Sequence, residues 1–312
     1  ATGNTFETEG ATVVGSAYGG FTTTGSASDN IVTVKSGNLG GATSGELVGG
    51  RALVGTAVNN QVTVEDGTLA LVYGGATGAL PVGSASVPAT AAATVGDVTG
   101  NTVTIKGGTL NTAAGGFTSE LATTDTEGKT LDLPAGKVSG NKVLVSGGNL
   151  GYASGGQGGE NVTGNTAEQT GGTVMYLAGG RASSGTIAEN KAALSGGTAM
   201  LVLGGWDDSS ASTVTQNQVT VSGGEVGMEV VAGMAVQGDA TGNTLTITGG
   251  PYELTASGSV ITFDGFRVLS GRKDDEKDKK VPALEKGTPM ELVQVDPAVQ
   301  HFTEPPPYFT EA

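Results

Sequence analysis

Residues 60–75 read Asn-Gln-Val-Thr-Val-Glu-Asp-Gly-Thr-Leu-Ala-Leu-Val-Tyr-Gly-Gly, and this stretch decides the fold. Val62 and Val64 share one face with Asn60, while Gln61, Thr63 and Glu65 share the other. Strict alternation of apolar and polar residues is the period of a half-buried strand, not of a helix. The strand runs into Asp66-Gly67, and the sixteen residues end on Gly74-Gly75. Glycine takes the positive-φ backbone of a sharp corner at no steric cost, so both glycine sites are expected to be corners.

The same words recur along the chain. They begin at Asn101 (NTVTIKGGTLNTAAGG), Asn141 (NKVLVSGGNLGYASGG) and Asn190 (NKAALSGGTAMLVLGG), with shorter copies at Asn217 and Asn243 and weaker ones at Asn4, Asn30 and Asn165. The intervals between these asparagines are 26, 30, 41, 40, 24, 25, 27 and 26 residues. A unit near 25 residues, with about 15 extra in two consecutive copies, is the signature of a solenoid, propeller or array. A four-stranded propeller blade needs about 40 residues, and a leucine-rich repeat needs a denser leucine grid with a helical half. Three short edges per unit instead make one triangular coil of a parallel β-helix.

Successive coils hydrogen-bond about 4.8 Å apart, so nine coils predict a rod of roughly 43 Å. Equivalent residues then stack. Val32, Val62, Val103, Val143, Val219 and Leu245 are expected inside, and the asparagines are expected to form an amide ladder at one bend. The 312 residues contain 56 glycines without a collagen-like period, only 4% aromatics and 14% charged residues. Such a core is built from thin layers of small and β-branched side chains.

The formal net charge is −15, which disfavours nucleic acid as a partner, because phosphate binding needs clustered Lys and Arg. There is no cysteine, hence no disulfide or thiolate chemistry, and no run of about 18 apolar residues to span a membrane as a helix. The start at Ala1, without Met or a signal-like segment, fits either a removed export signal or an arbitrary boundary.

The pattern Asn-x-Val-Thr-Val/Ile-x-Gly-Gly with apolar-Gly-Gly resembles the repeat region of autotransporter passengers from Gram-negative bacteria. The resemblance covers about residues 4–250. It extends into Phe263–Val295, where Phe-Asp-Gly-Phe and Gly-Thr-Pro-Met-Glu-Leu-Val are similar to closing strands after such repeats. It implies a right-handed β-helix displayed outside the cell. No C-terminal membrane barrel is among the 312 residues, so the expectation is a released passenger or a β-helix exported by another route.

Two domains are expected: repeats over 1–263, and a strand-rich cap with an extended arm over 264–312. The last 49 residues carry 17 of the 45 charged groups and end Glu-Pro-Pro-Pro-Tyr-Phe-Thr-Glu-Ala. The insertions lie at 76–100 and 117–140, in the same phase, and therefore project from one side of the rod. Long loops on a rigid scaffold carry binding, although solenoid corners also tolerate neutral insertions. Phe21, Arg51, Phe117, Gln157, Arg181 and Trp206 each follow the second glycine pair and form an exposed or half-exposed column. Aromatic and arginine side chains favour interfaces and sugar faces, while rings that pack a loop onto the rod give the plainer reading.

The outward threonines Thr33, Thr63, Thr104, Thr220 and Thr246 are interrupted by Leu144 and Ala193, so strand propensity explains them better than ice binding does. The only histidine is His301; Asp97, Asp132 and Asp239 are scattered, and the adjacent pair Asp207-Asp208 beside Trp206 is the nearest candidate but is expected to be solvated in a turn. No catalytic constellation emerges, and the calcium-binding nonapeptide of β-rolls does not occur. No cofactor or metal is indicated.

The reading is a non-enzymatic, extracellular structural or adhesive solenoid that takes a surface glycan or protein, or a second copy of itself, as partner. Head-to-tail assembly would join the first coil, with Asn4 and Phe6, to the arm with Pro305, Pro306, Pro307, Tyr308 and Phe309. The alternatives are a monomeric adhesin using the insertion loops and a glycan lyase or hydrolase on a β-helix.

Overall fold

Val and Thr at alternating positions favour extended backbone, and each such segment pairs with its equivalent in the next repeat. The computed structural model describes residues 1–39, 45–79, 95–124, 130–207 and 211–248. They form a parallel β-solenoid, and no helix occurs among them. The chain divides into two units, Ala1–Pro251 and Tyr252–Ala312, and the described residues all lie in the first. The expected cap and arm at 264–312 lie outside the described residues.

A coil has three unequal edges. In the one that starts at Asn141 they are Lys142–Val145, Asn149–Gly158 and Val162–Thr163. The first edges build a nine-stranded parallel sheet, the second a ten-stranded sheet and the third an eight-stranded sheet. Eight coils close among the described residues, and Thr244–Ile247 opens a ninth. The expected count of nine is close.

The interior columns form as the alternation requires. Phe6, Val32, Val62, Val103, Val143, Ala167, Ala192, Val219 and Leu245 are in register along the first sheet. Those from Val32 to Val219 are at most 1% exposed. Burying a valine is worth about 1.5 kcal/mol or more, so a column of small side chains supports the rod by repetition rather than by any single large group.

The asparagines form the expected ladder. Asn60 donates its backbone N–H (2.9 Å) and Nδ2 (2.8 Å) to Oδ1 of Asn101, and Asn101 does the same to Asn141 at 2.9 Å each. The pattern continues through Asn165, Asn190, Asn217 and Asn243. The residue before each rung takes the left-handed conformation, as at Asn59 (φ 55°), Glu189 (φ 57°) and Gln216 (φ 55°).

The two glycine sites differ, which corrects the expectation that both are corners. Gly148, in the first pair, is a corner with φ 89°. Gly75, in the second pair, lies inside the continuous strand Thr68–Thr77 and has no positive φ. A Cβ there would stand 2.6 Å from the amide of Asn101, so the residue is glycine because the ladder occupies that space.

Both insertions leave from one corner. Ala76 and Thr77 continue the second edge and pair with Phe117 and Thr118. The first insertion therefore begins at Gly78 and the second at Ser119. Leu121–Thr124 and Thr130–Leu133 of the second insertion make an antiparallel hairpin. Val95, Leu121 and Leu133 form a small apolar cluster with Val54, Ala79 and Leu131, so the bases of the two insertions pack on each other.

Candidate functional site

The column after the second glycine pair exists in register: Phe21, Arg51, Ala76, Phe117, Gln157, Arg181, Trp206 and Met234. Its members do not share one environment. Phe21 is 43% exposed beside Tyr18, with ring centroids 5.5 Å apart.

Arg51 is fully buried, contrary to the expected exposed or half-exposed column. The chain turns back after Thr77, and Nη2 of Arg51 donates to the carbonyls of Gly78 (3.1 Å) and Ala79 (2.8 Å). Arg51 thus tethers the start of the first insertion. Glu46 is buried nearby, and neither of its carboxylate oxygens has a hydrogen-bond partner among the described residues. Burial pushes the Glu46 carboxyl above its usual range, opposed by the charge of Arg51. Burial likewise pulls the Arg51 guanidinium down, opposed by Glu46, and pushes the Tyr73 hydroxyl well above its ordinary value.

Phe117 stacks on Tyr73 at 4.8 Å with 21° between ring planes. Further along the rod, Tyr176 stacks on both Tyr152 and Trp206, and each pair among the three rings has its centroids 5.8–5.9 Å apart. Arg181 lies 5.2 Å from the Tyr152 ring centre and 4.9 Å from that of Trp206. These ring faces serve one another and the guanidinium, as cation–π and stacking contacts do, and so offer little flat surface to a sugar.

The concave feature lies beside this ladder, at the corner where the second insertion leaves. A groove of about 450 Å³ is lined by Phe117, Glu120, Gln157, Arg181 and Ser184 together with backbone of Gly158 and Gly159. The side-chain carbonyl of Gln157 is buried without a hydrogen-bond partner among the described residues, and Ser184 Oγ donates to the Gly159 carbonyl at 2.8 Å. One apolar ring, one cation, one carboxylate and several hydroxyls and amides suit a neutral, hydroxyl-rich ligand. Sequence reasoning thus found Phe117, Gln157 and Arg181, but missed Tyr152 and Tyr176. Their shared signal was a tyrosine four residues before the second glycine of each pair, in GYASGG and MYLAGG.

The other candidates separate. Asn4 donates to Oδ1 of Asn30 from its backbone N–H (3.0 Å) and Nδ2 (2.8 Å), and Phe6 is half-buried on the core. Pro305, Pro306, Pro307, Tyr308 and Phe309 lie outside the described residues. Asp207 is fully buried at the end of Thr198–Asp207, so it is not the solvated turn residue expected. Asp208 lies outside the described residues. Asp97 accepts from the Lys137 N–H at 2.9 Å. The threonine column is in register but broken by Leu144, Glu168 and Ala193, with Lys142 paired to Glu168 at 2.8 Å. Among the described residues, no three His, Cys, Asp or Glu are arranged to hold a metal ion. No helix among them is long and apolar enough to cross a membrane.

No protein-family model matches the chain, and no solved structure matches it. A 70-residue stretch is similar to DNA topoisomerase 1 of Salmonella typhimurium at 40% identity, covering 22% of this chain and 8% of that protein. The topoisomerase 1 of Pseudomonas aeruginosa is 37% identical over the same length, with the same coverage. The chain thus spans under a tenth of these relatives.

Proposed function

We propose that this chain is a non-enzymatic structural or adhesive solenoid acting outside the cell, with the corner groove as its ligand face and a glycan as its ligand. The observation that carries the ligand face is the groove itself, where Phe117, Gln157 and Arg181 line one concave corner of a regular coil stack. The placement outside the cell is supported by the resemblance of the repeat to autotransporter passengers. Self-assembly along the axis belongs to the same proposal.

The 70-residue likeness to DNA topoisomerase 1 favours a second reading, in which that stretch is a fragment of a DNA-contacting protein. The net charge of −15 weighs against it, because duplex binding is dominated by phosphate neutralisation.

One experiment separates the two. The immobilised 312-residue chain is challenged with a glycan array and with duplex DNA at low and high salt. Glycan binding that Gln157→Ala weakens about tenfold, with melting unchanged, supports the groove. Glycan binding indifferent to Gln157→Ala and Glu120→Lys, or no glycan binding, overturns it. Salt-sensitive DNA binding moves the function to the second reading.

A further inference from the structure

Methionine is rare here, with five in 312 residues, yet three stand together on one outward face. Met175 and Met200 are flanked by the paired residues Val174–Ala199 and Tyr176–Leu201, so they occupy equivalent positions in neighbouring coils. In the next coil the register shifts between Ala199 and Leu201, where Gly227 and Met228 oppose Met200. The three are 51%, 37% and 65% exposed, too open for core filling to explain them.

Two details bear on what the stripe does. The thioether sulfur of Met200 sits 2.7 Å from where a Cβ on Gly227 would stand, so glycine leaves the sulfur room to lie over the coil that carries Met228. The bulge sets both that glycine and a third methionine opposite the single residue Met200. Glu229, exposed and next in chain to Met228, adds a negative charge beside three neutral sulfurs.

Neighbouring coils are about 4.8 Å apart. With a metal–sulfur length of about 2.3 Å, as for zinc thiolates, three donors around one ion stand about 4 Å from each other. The Met200 sulfur lies over Gly227, in the coil that carries Met228, and bringing three side chains from neighbouring coils together takes a lean of a few ångströms, within the reach of an unbranched, flexible thioether. Thioethers are soft donors that select Cu(I) over harder cations such as Mg(II) or Ca(II).

We propose that Met175, Met200 and Met228 form a three-thioether site for a soft monovalent cation of the Cu(I) class. This site is independent of the corner groove and of the glycan reading.

The test titrates the full chain with Cu(I), under ascorbate and in competition with bicinchoninate, and separately with Ag(I). The wild type should hold one ion per chain. The triple variant Met175→Leu, Met200→Leu, Met228→Leu keeps apolar volume but has no sulfur at the stripe. It should melt as the wild type does and take up no ion. Met234→Leu and Met290→Leu should bind as the wild type does. The site is overturned by absent uptake in the wild type, by equal uptake in the triple variant, or by loss of uptake in Met290→Leu alone. Self-association of the wild type without metal uptake, retained by the triple variant, would mark the stripe as an apolar contact and equally overturn it.

Discussion

Asn141 shows how much one residue type carries. Its Oδ1 accepts twice from Asn101, and its Nδ2 donates to the carbonyls of Val98 (2.9 Å) and Ser139 (3.1 Å) and to Oδ1 of Asn165 (3.0 Å). All of this happens at 1% exposure. Asn141→Ala strands the Asn101 donors and the Val98 carbonyl away from water, and should cost about 3 kcal/mol in urea unfolding. Asn141→Asp keeps the shape but sets a carboxylate oxygen against two carbonyls, and should cost at least as much. The ladder was legible as a recurring asparagine. The partnership between the ladder and Gly75 was not, because a close approach across coils leaves only a glycine in the sequence, which reads as a turn.

At the scale of elements, the second edge and the insertions show where local patterning stops. Arg51 stands in register with Phe21 and Phe117, and periodicity alone gives it their exposure. The turn after Thr77 accepts hydrogen bonds from Arg51, which is buried, as is Glu46. The fold favours the protonated Glu46 carboxyl, so folding takes up a proton between the unfolded and folded titrations of this group. Its contribution to stability is therefore full below the ordinary carboxyl value of 4.5 and is lost as pH rises through the raised folded value. Urea midpoints measured from about pH 4 to about pH 8 should show this decline in the wild type and a flatter profile in Glu46→Gln. All other carboxylates are common to both proteins and cancel in the difference.

At the scale of the molecule, the ladder has a direction. Every amide-to-amide bond of the ladder runs from the N-terminal rung as donor to the C-terminal rung as acceptor. Among the described residues Thr5–Thr8 pairs on one side only, with Ile31–Val34. A second copy that docks on this strand in parallel continues both the sheet and the ladder, whereas a head-to-head copy breaks both. Under the proposed self-assembly the fibres are therefore polar. Electron microscopy of the full chain should show polar fibres with an axial repeat near one rod length. Discrete rods at every concentration would remove assembly from the function and leave the groove. The asparagine intervals, the Val-Thr-Val alternation and the charge balance by themselves determined a parallel solenoid of thin apolar layers, because each coil repeats the same local problem and solves it identically. The burial of Arg51 and Asp207, the stack of Tyr152, Tyr176 and Trp206, the corner groove and the methionine stripe were decided only by tertiary structure. Each depends on which residues stand about 4.8 Å apart across coils, with 24 to 41 residues of chain between the rungs, and local pattern carries no record of that neighbour.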